Sequence, residues 1–141
     1  MNYAIILAAG KSERFKEEND KLLVEVAGHP IVYYSLISFN DHPDIDEIVL
    51  VVNENNEKSL KKLIKDYNLK KIKKVVYGGE SRQLSFISGI KSIEKKAKDQ
   101  DIILVHNGAN PLPSTNEITE CINHSIEKGA CIVGHFVKST I

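Results

Sequence analysis

The sequence lacks several features that would place it in a particular class of protein. Its 141 residues include no tryptophan and only two cysteines, Cys121 and Cys131, which do not form a CxxC pair. That count argues against a disulfide framework or a zinc site, so we expect two free thiols in the core. No apolar run approaches the ~20 residues that cross a bilayer, and the first residues lack a secretory signal pattern. We therefore expect a cytoplasmic protein without a membrane partner.

The chain also lacks an excess of charge of either sign. Nineteen lysine and arginine residues balance nineteen aspartate and glutamate residues, so the formal net charge is zero. General binding to nucleic acid needs an excess of positive charge, so we expect no nucleic-acid partner. A neutral total still allows a local basic pocket. The length predicts a single domain, residues 1–141.

Five apolar, β-branched segments predict strands, at residues 3–9, 47–53, 73–78, 101–107 and 130–137. Several of them are apolar at consecutive positions, which is typical of parallel strands buried on both faces. Helical patterns lie between them, so we expect an α/β fold, a doubly wound and mostly parallel sheet with helices on both faces. Residues 29–39 suit a strand or a buried helix, and Pro30 favours the helix. Residues 21–29 suggest a short edge strand.

The first candidate site is the loop that follows the first predicted strand, because ligands of such sheets bind beyond the carboxyl ends of the strands. Ala8, Ala9 and Gly10 are small enough to let a ligand reach the backbone, and successive N–H groups there can bind an anion. Arg14 and Lys21 follow and can reach back over this loop. The segment contains neither a complete P-loop nor a GxGxxG motif. The residues alone leave a phosphate site and an ordinary turn equally open.

The second candidate loop spans residues 77–85 and begins with a Gly-Gly pair. Its glycines leave a predicted strand, and the next helix begins near Ser81, so a positive helix end faces the same crevice. Glu80 can accept a hydrogen bond from an amino group such as cytosine N4, or it can simply complement the helix dipole. Ser85 can donate to a ligand or be an ordinary helical residue.

The third candidate loop spans residues 106–111, where Asn107 and Asn110 follow a predicted strand. A side-chain oxygen at a strand end can coordinate Mg²⁺ together with phosphate oxygens. Asn-Gly and Asn-Pro are also common turn dipeptides, so a plain turn is the alternative.

Taken together, these loops resemble the 2-C-methyl-D-erythritol 4-phosphate cytidylyltransferase family. The matching segments, in order along the chain, are "LAAGKSER" with Lys21, "GGESRQLS", "VHNGANP" and "VKST". The resemblance implies a Rossmann-like nucleotidyltransferase fold. It also implies transfer of CMP from CTP to 2-C-methyl-D-erythritol 4-phosphate with release of pyrophosphate, with Mg²⁺ as cofactor. A cytidylyltransferase that forms CDP-ribitol and a non-catalytic nucleotide-binding module are the alternatives.

The resemblance also implies a role for individual residues. Arg14 and Lys21 would be catalytic by neutralising the triphosphate, Thr140 would contact the second substrate, and Asn107 would take the metal position. The residues implied to bind CTP are Ala8, Ala9, Gly10, Lys11, Gly79, Glu80, Ser85 and Gly108.

Four positions depart from the family pattern. Asn107 and Ser139 stand where the family has aspartate, Asn110 replaces an arginine, and Asp20 replaces the proline before Lys21. Family members also continue past the position of Ile141 into a dimerisation arm and further elements, which carry most of the second substrate's site. We therefore expect this sequence to be either a piece of a longer protein or a short form. The family forms a homodimer through that arm, and we do not carry this expectation over to these 141 residues.

Overall fold

The computed structural model describes residues 1–10 and 20–134. The elements, in chain order, are β1 (Asn2–Leu7), a short 3₁₀ helix (Lys21–Leu23), β2 (Glu25–Val26), β3 (His29–Pro30), α1 (Ile31–Asp41), β4 (Glu47–Val52), α2 (Glu57–Asp66), β5 (Ile72–Tyr77), α3 (Arg82–Ile93), β6 (Ile102–Asn107) and α4 (Thr115–Lys128).

Four of these strands form one sheet in the order β5-β4-β1-β6, and all three neighbouring pairs are parallel. The central strand β1 pairs through Ile5 with Val49 of β4 on one side and with Val105 of β6 on the other. Because the strands are parallel, their carboxyl ends lie along the same edge of the sheet. This edge is where the three candidate loops begin.

Helices cover both faces of the sheet, as the sequence predicts. Ala4 and Ile6 of β1 belong to a core cluster that includes buried residues of α1, α2 and α4. Tyr3 and Ile5 belong to a second cluster on the other face, with Ile93 of α3. Successive side chains of a strand point to opposite faces, so a strand that is apolar throughout needs both layers. The expectation of a doubly wound α/β fold is confirmed.

The helix boundaries follow from local residue chemistry. Ser114 and Glu117 form a reciprocal capping box at the start of α4, and Gly129 ends this helix in the left-handed region at φ 85°. The ambiguous segment 29–39 is mostly helix, because Pro30 immediately precedes α1 and buried side chains such as Leu36 fill its inner face. None of the described helices is long and apolar enough to cross a membrane.

Three expectations about strands are wrong or only partly right. Residues 21–29 do not form one edge strand, since Ala27 and Gly28 have positive φ values that fold the segment into the β2–β3 hairpin. Residues 130–134 belong to neither strand nor helix, and residues 135–137 of the same expected strand lie outside the described ranges. Burial on both faces holds for β1 and β4, whereas β5 and β6 are edge strands with partly exposed side chains.

The two cysteines are free, as expected from the sequence, but the expectation that they lie in the core is wrong, because Cys121 is only partly buried and Cys131 is exposed in the segment after α4. Their sulfur atoms lie 3.9 Å apart between α4 and the segment that follows it. Burial, followed by the hydrogen bond from Cys131, raises the pKa of the Cys121 thiol.

Candidate functional site

The three candidate loops are fastened to one another at the carboxyl edge of the sheet. The N–H of Ala8 donates to β4 over 2.7 Å, the N–H of Gly78 donates to β4 over 2.8 Å, and the N–H of Gly108 donates to β1 over 2.9 Å. Each of these residues directly follows its strand, so the hydrogen-bond ladder of the sheet continues into the loops. The structure therefore brings the first residues of all three loops together along one edge of the sheet, and we call this edge the candidate crevice.

Contact between the first and second loops requires glycine at position 78. A β-carbon built on Gly78 would lie 2.4 Å from the Cβ of Ala9 and 2.6 Å from the Oγ of Ser85. Ser85 is 5% exposed, and its Oγ donates to the carbonyl of Gly79 over 3.3 Å. Ser85 is therefore buried where the first and second loops meet, and its hydroxyl is bound within the protein. The sequence suggested instead that this hydroxyl donates to a ligand.

Gly10 differs from Gly78 in its contacts with the described residues. A β-carbon built on Gly10 would have no heavy atom of residues 1–10 or 20–134 within 4 Å, and the residue is exposed at the end of the described part of the loop. None of the described residues therefore crowds the main chain here.

Two asparagines after β4 hold the carbonyl groups of the first loop, and the sequence analysis did not identify them. The Nδ2 of Asn56 donates to the carbonyl of Ala8 over 2.8 Å. The Nδ2 of Asn53 lies 3.3 Å and 3.4 Å from the carbonyl oxygens of Ala9 and Gly10. An anionic ligand near this loop therefore meets carbonyl oxygens that are already hydrogen-bonded, which weakens their repulsion of its charge.

The asparagine pair also has a defined local fold. The Oδ1 of Asn53 accepts from the N–H groups of Asn55 and Asn56, and the Oδ1 of Asn56 accepts from the N–H of Asn53. The run "NENN" stands at the carboxyl end of a strand in the sheet, as the three candidate loops do. Applying the rule for strand ends to every strand would have added this segment to the candidate site.

Asp20 connects the short helix that begins at Lys21 to this network. One carboxylate oxygen accepts from the N–H of Leu22 at 3.1 Å, and the other accepts from the Nδ2 of Asn56 at 2.6 Å. Because Asn56 also binds the carbonyl of Ala8, exposed Lys21 follows directly after a residue tied to the first loop. The expected catalytic residue Arg14 and the expected substrate residues Lys11 and Thr140 lie outside the described ranges.

The second loop presents a helix end to the crevice. Ser81 caps α3 by accepting from the N–H of Leu84 over 3.1 Å, and Glu80 precedes it as an exposed residue. A β-carbon built on Gly79 would lie 2.4 Å from the Cβ of Leu84, so the loop passes close to the first turn of α3. The positive end of α3 and the nearby backbone favour an anion at this edge.

A charged pair lies near the start of the second loop. The hydroxyl of Tyr77 donates to the carboxylate of Glu57, which also binds the amino group of Lys61. The hydrogen bond from Lys61, followed by the one from Tyr77, lowers the pKa of Glu57, while Glu57 raises the pKa of Tyr77. Glu57 therefore stays ionised at neutral pH and holds the Tyr77 ring at the end of β5.

The third loop is a compact turn held from below by α1. The Oδ1 of Asn107 accepts from the N–H of Ala109 at 3.2 Å, and the carbonyl of Asn107 accepts from the N–H of Asn110 at 2.9 Å. The Oγ of Ser35 lies 3.1 Å and 2.7 Å from the carbonyl oxygens of Gly108 and Asn110. The N–H and the carbonyl of buried Gly108 are thus both hydrogen-bonded within the protein. The resemblance implied that this residue contacts CTP.

His106 supports the same turn. Its Nε2 lies 2.8 Å from the carbonyl of Asn110, and its ring centre lies 5.0 Å from that of Phe39. Burial lowers the pKa of His106 despite this hydrogen bond, which acts in the opposite direction. A neutral ring whose Nε2–H donates to Asn110 fits this arrangement.

Asn107 supplies one neutral oxygen to a metal ion at most. An amide oxygen has two lone pairs, so the Oδ1 that accepts from Ala109 can still face a cation. Among the described residues, no group of three His, Cys, Asp or Glu side chains is placed to hold a metal. Mg²⁺ keeps few protein ligands and several waters or phosphate oxygens, so these residues fit the ion only together with a bound nucleotide.

A separate depression lies beside the edge strand β6, and none of the described residues that line it is one expected to bind CTP. Its lining is mainly apolar and includes Phe39, Val105, Leu112, Cys121 and Ile132. The phosphate-binding features described above are absent from this lining, so the crevice at the carboxyl edge is the better candidate site.

Comparison with known proteins matches these observations. The family model described as 2-C-methyl-D-erythritol 4-phosphate cytidylyltransferase matches residues 2–141. The chain belongs to this family. The resemblance found in the sequence is therefore confirmed, and with it the membership in a family of nucleotidyltransferase enzymes.

Two curated relatives carry the name of the cytidylyltransferase family. The one from Clostridium tetani is 41% identical over 140 residues, and the one from Dictyoglomus thermophilum is 43% identical over 138 residues. These alignments cover 99% and 97% of this chain but 55% and 58% of the relatives. The chain thus spans just over half the length of the curated cytidylyltransferases it matches.

Solved structures agree with this assignment of the fold. A crystal structure of 4-diphosphocytidyl-2C-methyl-D-erythritol synthase from Anaerococcus prevotii superimposes with a TM-score of 0.71 at 29% identity, covering 89% of this chain and 51% of that one. The bifunctional IspDF protein of Campylobacter jejuni gives a TM-score of 0.69 at 23% identity, over 89% of this chain and 31% of the other. The latter likeness shows the fold alone. The expected Rossmann-like cytidylyltransferase fold is confirmed.

Proposed function

We propose that this chain provides the CTP-binding part of a cytidylyltransferase that acts on 2-C-methyl-D-erythritol 4-phosphate. The observation that carries the proposal is the joining of the first and second loops through Gly78, which packs against Ala9 and Ser85 and so brings the end of the Ala8–Gly10 loop and the first turns of α3 to the same edge of the sheet. Membership in the family supplies the nucleotide and the second substrate, and it supports a place in isoprenoid precursor synthesis in the cytoplasm.

The proposed reaction forms one bond and breaks one. A phosphate oxygen of the second substrate attacks the α-phosphorus of CTP, and the bond between that phosphorus and the bridging oxygen of the β-phosphate breaks. Pyrophosphate leaves with the bonding electrons, and no covalent bond to the protein forms. Such reactions depend on positioning and on stabilising charge that moves toward the leaving group.

The chain's own residues would supply that stabilisation. The loop Ala8–Gly10 would face the triphosphate, and the ammonium group of Lys21 would balance charge as pyrophosphate leaves, together with Arg14 and Lys11. Glu80 and the backbone at Gly79 would contact the cytosine, and Ser85 would hold this loop through its hydrogen bond to the carbonyl of Gly79. Asn107 would hold Mg²⁺, which supplies positive charge to the phosphate oxygens when bound.

Calorimetry with CTP in the presence of Mg²⁺ tests the nucleotide assignment. We expect CTP to bind more tightly than ATP, and we expect Lys21→Ala to weaken CTP binding because one cation beside the triphosphate is lost. Lys95→Ala removes an equally exposed charge just after α3, at the opposite edge of the sheet, and serves as the matched control. Equal affinity for CTP and ATP would contradict the cytidine assignment.

A magnesium titration tests the metal position. Asn107→Asp adds a formal charge at the end of β6, so the Mg²⁺ concentration needed for half-maximal CTP binding should fall. Asn110→Asp places the same change three residues further on and is the control. An unchanged titration for Asn107→Asp would remove this residue from the metal site.

A second candidate function is nucleotide binding without turnover. It is favoured by Asn107 and Asn110, which stand where the family has aspartate and arginine. Measuring pyrophosphate release with 2-C-methyl-D-erythritol 4-phosphate and with ribitol 5-phosphate separates the candidates. Release with the first supports the main proposal, preference for the second supports the CDP-ribitol alternative, and CTP binding without release with either supports the binding module.

A further inference from the structure

Asp20 has two separate hydrogen-bond roles in the described structure. It caps the short helix by accepting from the N–H of Leu22 at 3.1 Å, which any good N-cap residue can do. It also accepts from the buried amide of Asn56 at 2.6 Å, which joins the helix to a different part of the fold. The second contact spans 36 positions in the sequence and is not explained by helix capping.

The orientation of Asn56 in this contact is fixed by its other partners. Its Oδ1 accepts from the backbone N–H of Asn53 at 3.0 Å, and its Nδ2 donates to the carbonyl of Ala8 at 2.8 Å. Neither partner can exchange roles, because an N–H only donates and a carbonyl only accepts. The second hydrogen of Nδ2 is therefore held toward Asp20, whose carboxylate accepts it.

Asn56 lies completely buried beneath the first loop. A hydrogen bond between an ionised carboxylate and a buried amide is stronger than a neutral one. The chain from Asp20 through Asn56 to Ala8 therefore couples the position of the short helix to the end of β1. Lys21 is the first residue of that helix, and adjacent Cα atoms lie about 3.8 Å apart.

We propose that Asp20 and Asn56 are positioning residues that hold Lys21 beside the Ala8–Gly10 loop for the charge-balancing step. The proposal rests on the proposed function, in which Lys21 meets the triphosphate of CTP. In this proposal Asp20 acts through Lys21. A proline at this position, as in the family pattern, restricts the backbone before the lysine, whereas Asp20 restricts it through a side-chain contact.

Asp20→Asn leaves one acceptor oxygen where Asp20 has two. Asparagine can therefore keep either the cap on Leu22 or the contact with Asn56, and its amide group places a donor opposite an N–H at the other position. Asp99→Asn makes the same chemical change at an exposed residue before β6, at the far edge of the sheet, and is the matched control.

The first measurement needs no ligand. Amide hydrogen exchange on the full chain reports whether Asp20 anchors the short helix, through the N–H groups of Leu23 and Val24 that bond inside it. We expect about tenfold faster exchange of these amides in Asp20→Asn than in Asp99→Asn. Equal exchange in the two variants would overturn the proposal while leaving the proposed function intact.

The second measurement is a double-mutant cycle on the affinity for CTP. Asp20→Asn removes a negative charge, so a purely electrostatic effect would tighten CTP binding. If Asp20 positions Lys21, the variant should instead weaken binding about tenfold, and it should cause no further loss when Lys21→Ala is already present. Tighter binding, or the same loss in both backgrounds, would refute positioning through Lys21. Failure of the unaltered chain to bind CTP would refute the proposed function, and this inference with it.

Discussion

Gly78→Ala is the most direct test of how the first two loops are joined. The added methyl group would lie 2.4 Å from the Cβ of Ala9 and 2.6 Å from the Oγ of Ser85. The hydroxyl can rotate, but the methyl of Ala9 is fixed to a backbone that is hydrogen-bonded to β4. One of the two loops must therefore move for the variant to fold.

The magnitude follows from matching this change with Gly10→Ala. Inserting a methyl group into a packed region costs about 1–3 kcal/mol, while replacing glycine by alanine returns about 0.4–1 kcal/mol by restricting the unfolded chain. Gly10→Ala gains only the second effect as far as the described residues are concerned, because none of their atoms lies within 4 Å of the new methyl group. The difference between the two variants therefore isolates the contact, at about 1–3 kcal/mol in the free energy of unfolding.

Thermal unfolding followed by circular dichroism measures this difference. With an unfolding entropy of about 2.1 cal/mol/K per residue, a chain of 141 residues loses about 3 °C in Tm for each kcal/mol. Gly78→Ala should therefore unfold about 3–10 °C below Gly10→Ala. Equal melting temperatures would show that the two loops are not packed as described, and the common crevice would lose its structural basis.

Three further results are expected. Gly10→Ala should weaken CTP binding by calorimetry without lowering Tm, because its methyl group fills space proposed for the phosphates; unchanged affinity would place the nucleotide elsewhere. Asn56→Ala should lower the free energy of unfolding in urea by about 2 kcal/mol or more, since it leaves buried groups without partners, whereas exposed Asn55→Ala should change it little. The amino group of Met1 and then a backbone N–H lower the pKa of Asp101, so its contribution to stability is fully present above pH ~3.9 and is lost as the pH falls through the folded pKa. Asp101→Asn should therefore reduce the acid dependence of the urea midpoint, and an unchanged dependence would contradict this ion pair.

The fold could be predicted because its signals are local. Consecutive apolar residues in β1 and β4, together with helical periodicity between the strands, are enough to indicate a parallel sheet covered on two faces. The hairpin at residues 21–29 does not follow from the sequence, because Ala27 takes a positive φ that alanine does not favour. Val105 is partly exposed because β6 lies at the edge of the sheet. The order of the strands in a sheet cannot be read from the residues of any one strand.

The site could be predicted only in outline. Strand ends pointed to three loops, and the family resemblance assigned them a ligand, but neither source distinguishes Gly78 from Gly10. One glycine is needed because protein atoms crowd it, whereas none of the described residues comes within 4 Å of a β-carbon at the other. Such a difference depends on which loops meet in three dimensions. The same holds for Ser85, whose buried hydroxyl is bound to the neighbouring loop.

Asp20 is another residue whose role depends on contacts in three dimensions. It departs from the family pattern, and only the structure explains why an aspartate suits this position. In the sequence it is an acidic residue before a lysine, and it would be read as a partner for that lysine's charge. In the structure one carboxylate oxygen caps a helix and the other meets buried Asn56, so its role depends on a residue 36 positions away. Asn56→Asp should therefore be more harmful than Asn56→Ala, because it places a second carboxylate against Asp20 and the carbonyl of Ala8. If urea unfolding showed Asn56→Asp to be the milder change, the buried amide could not be the donor that links these two groups.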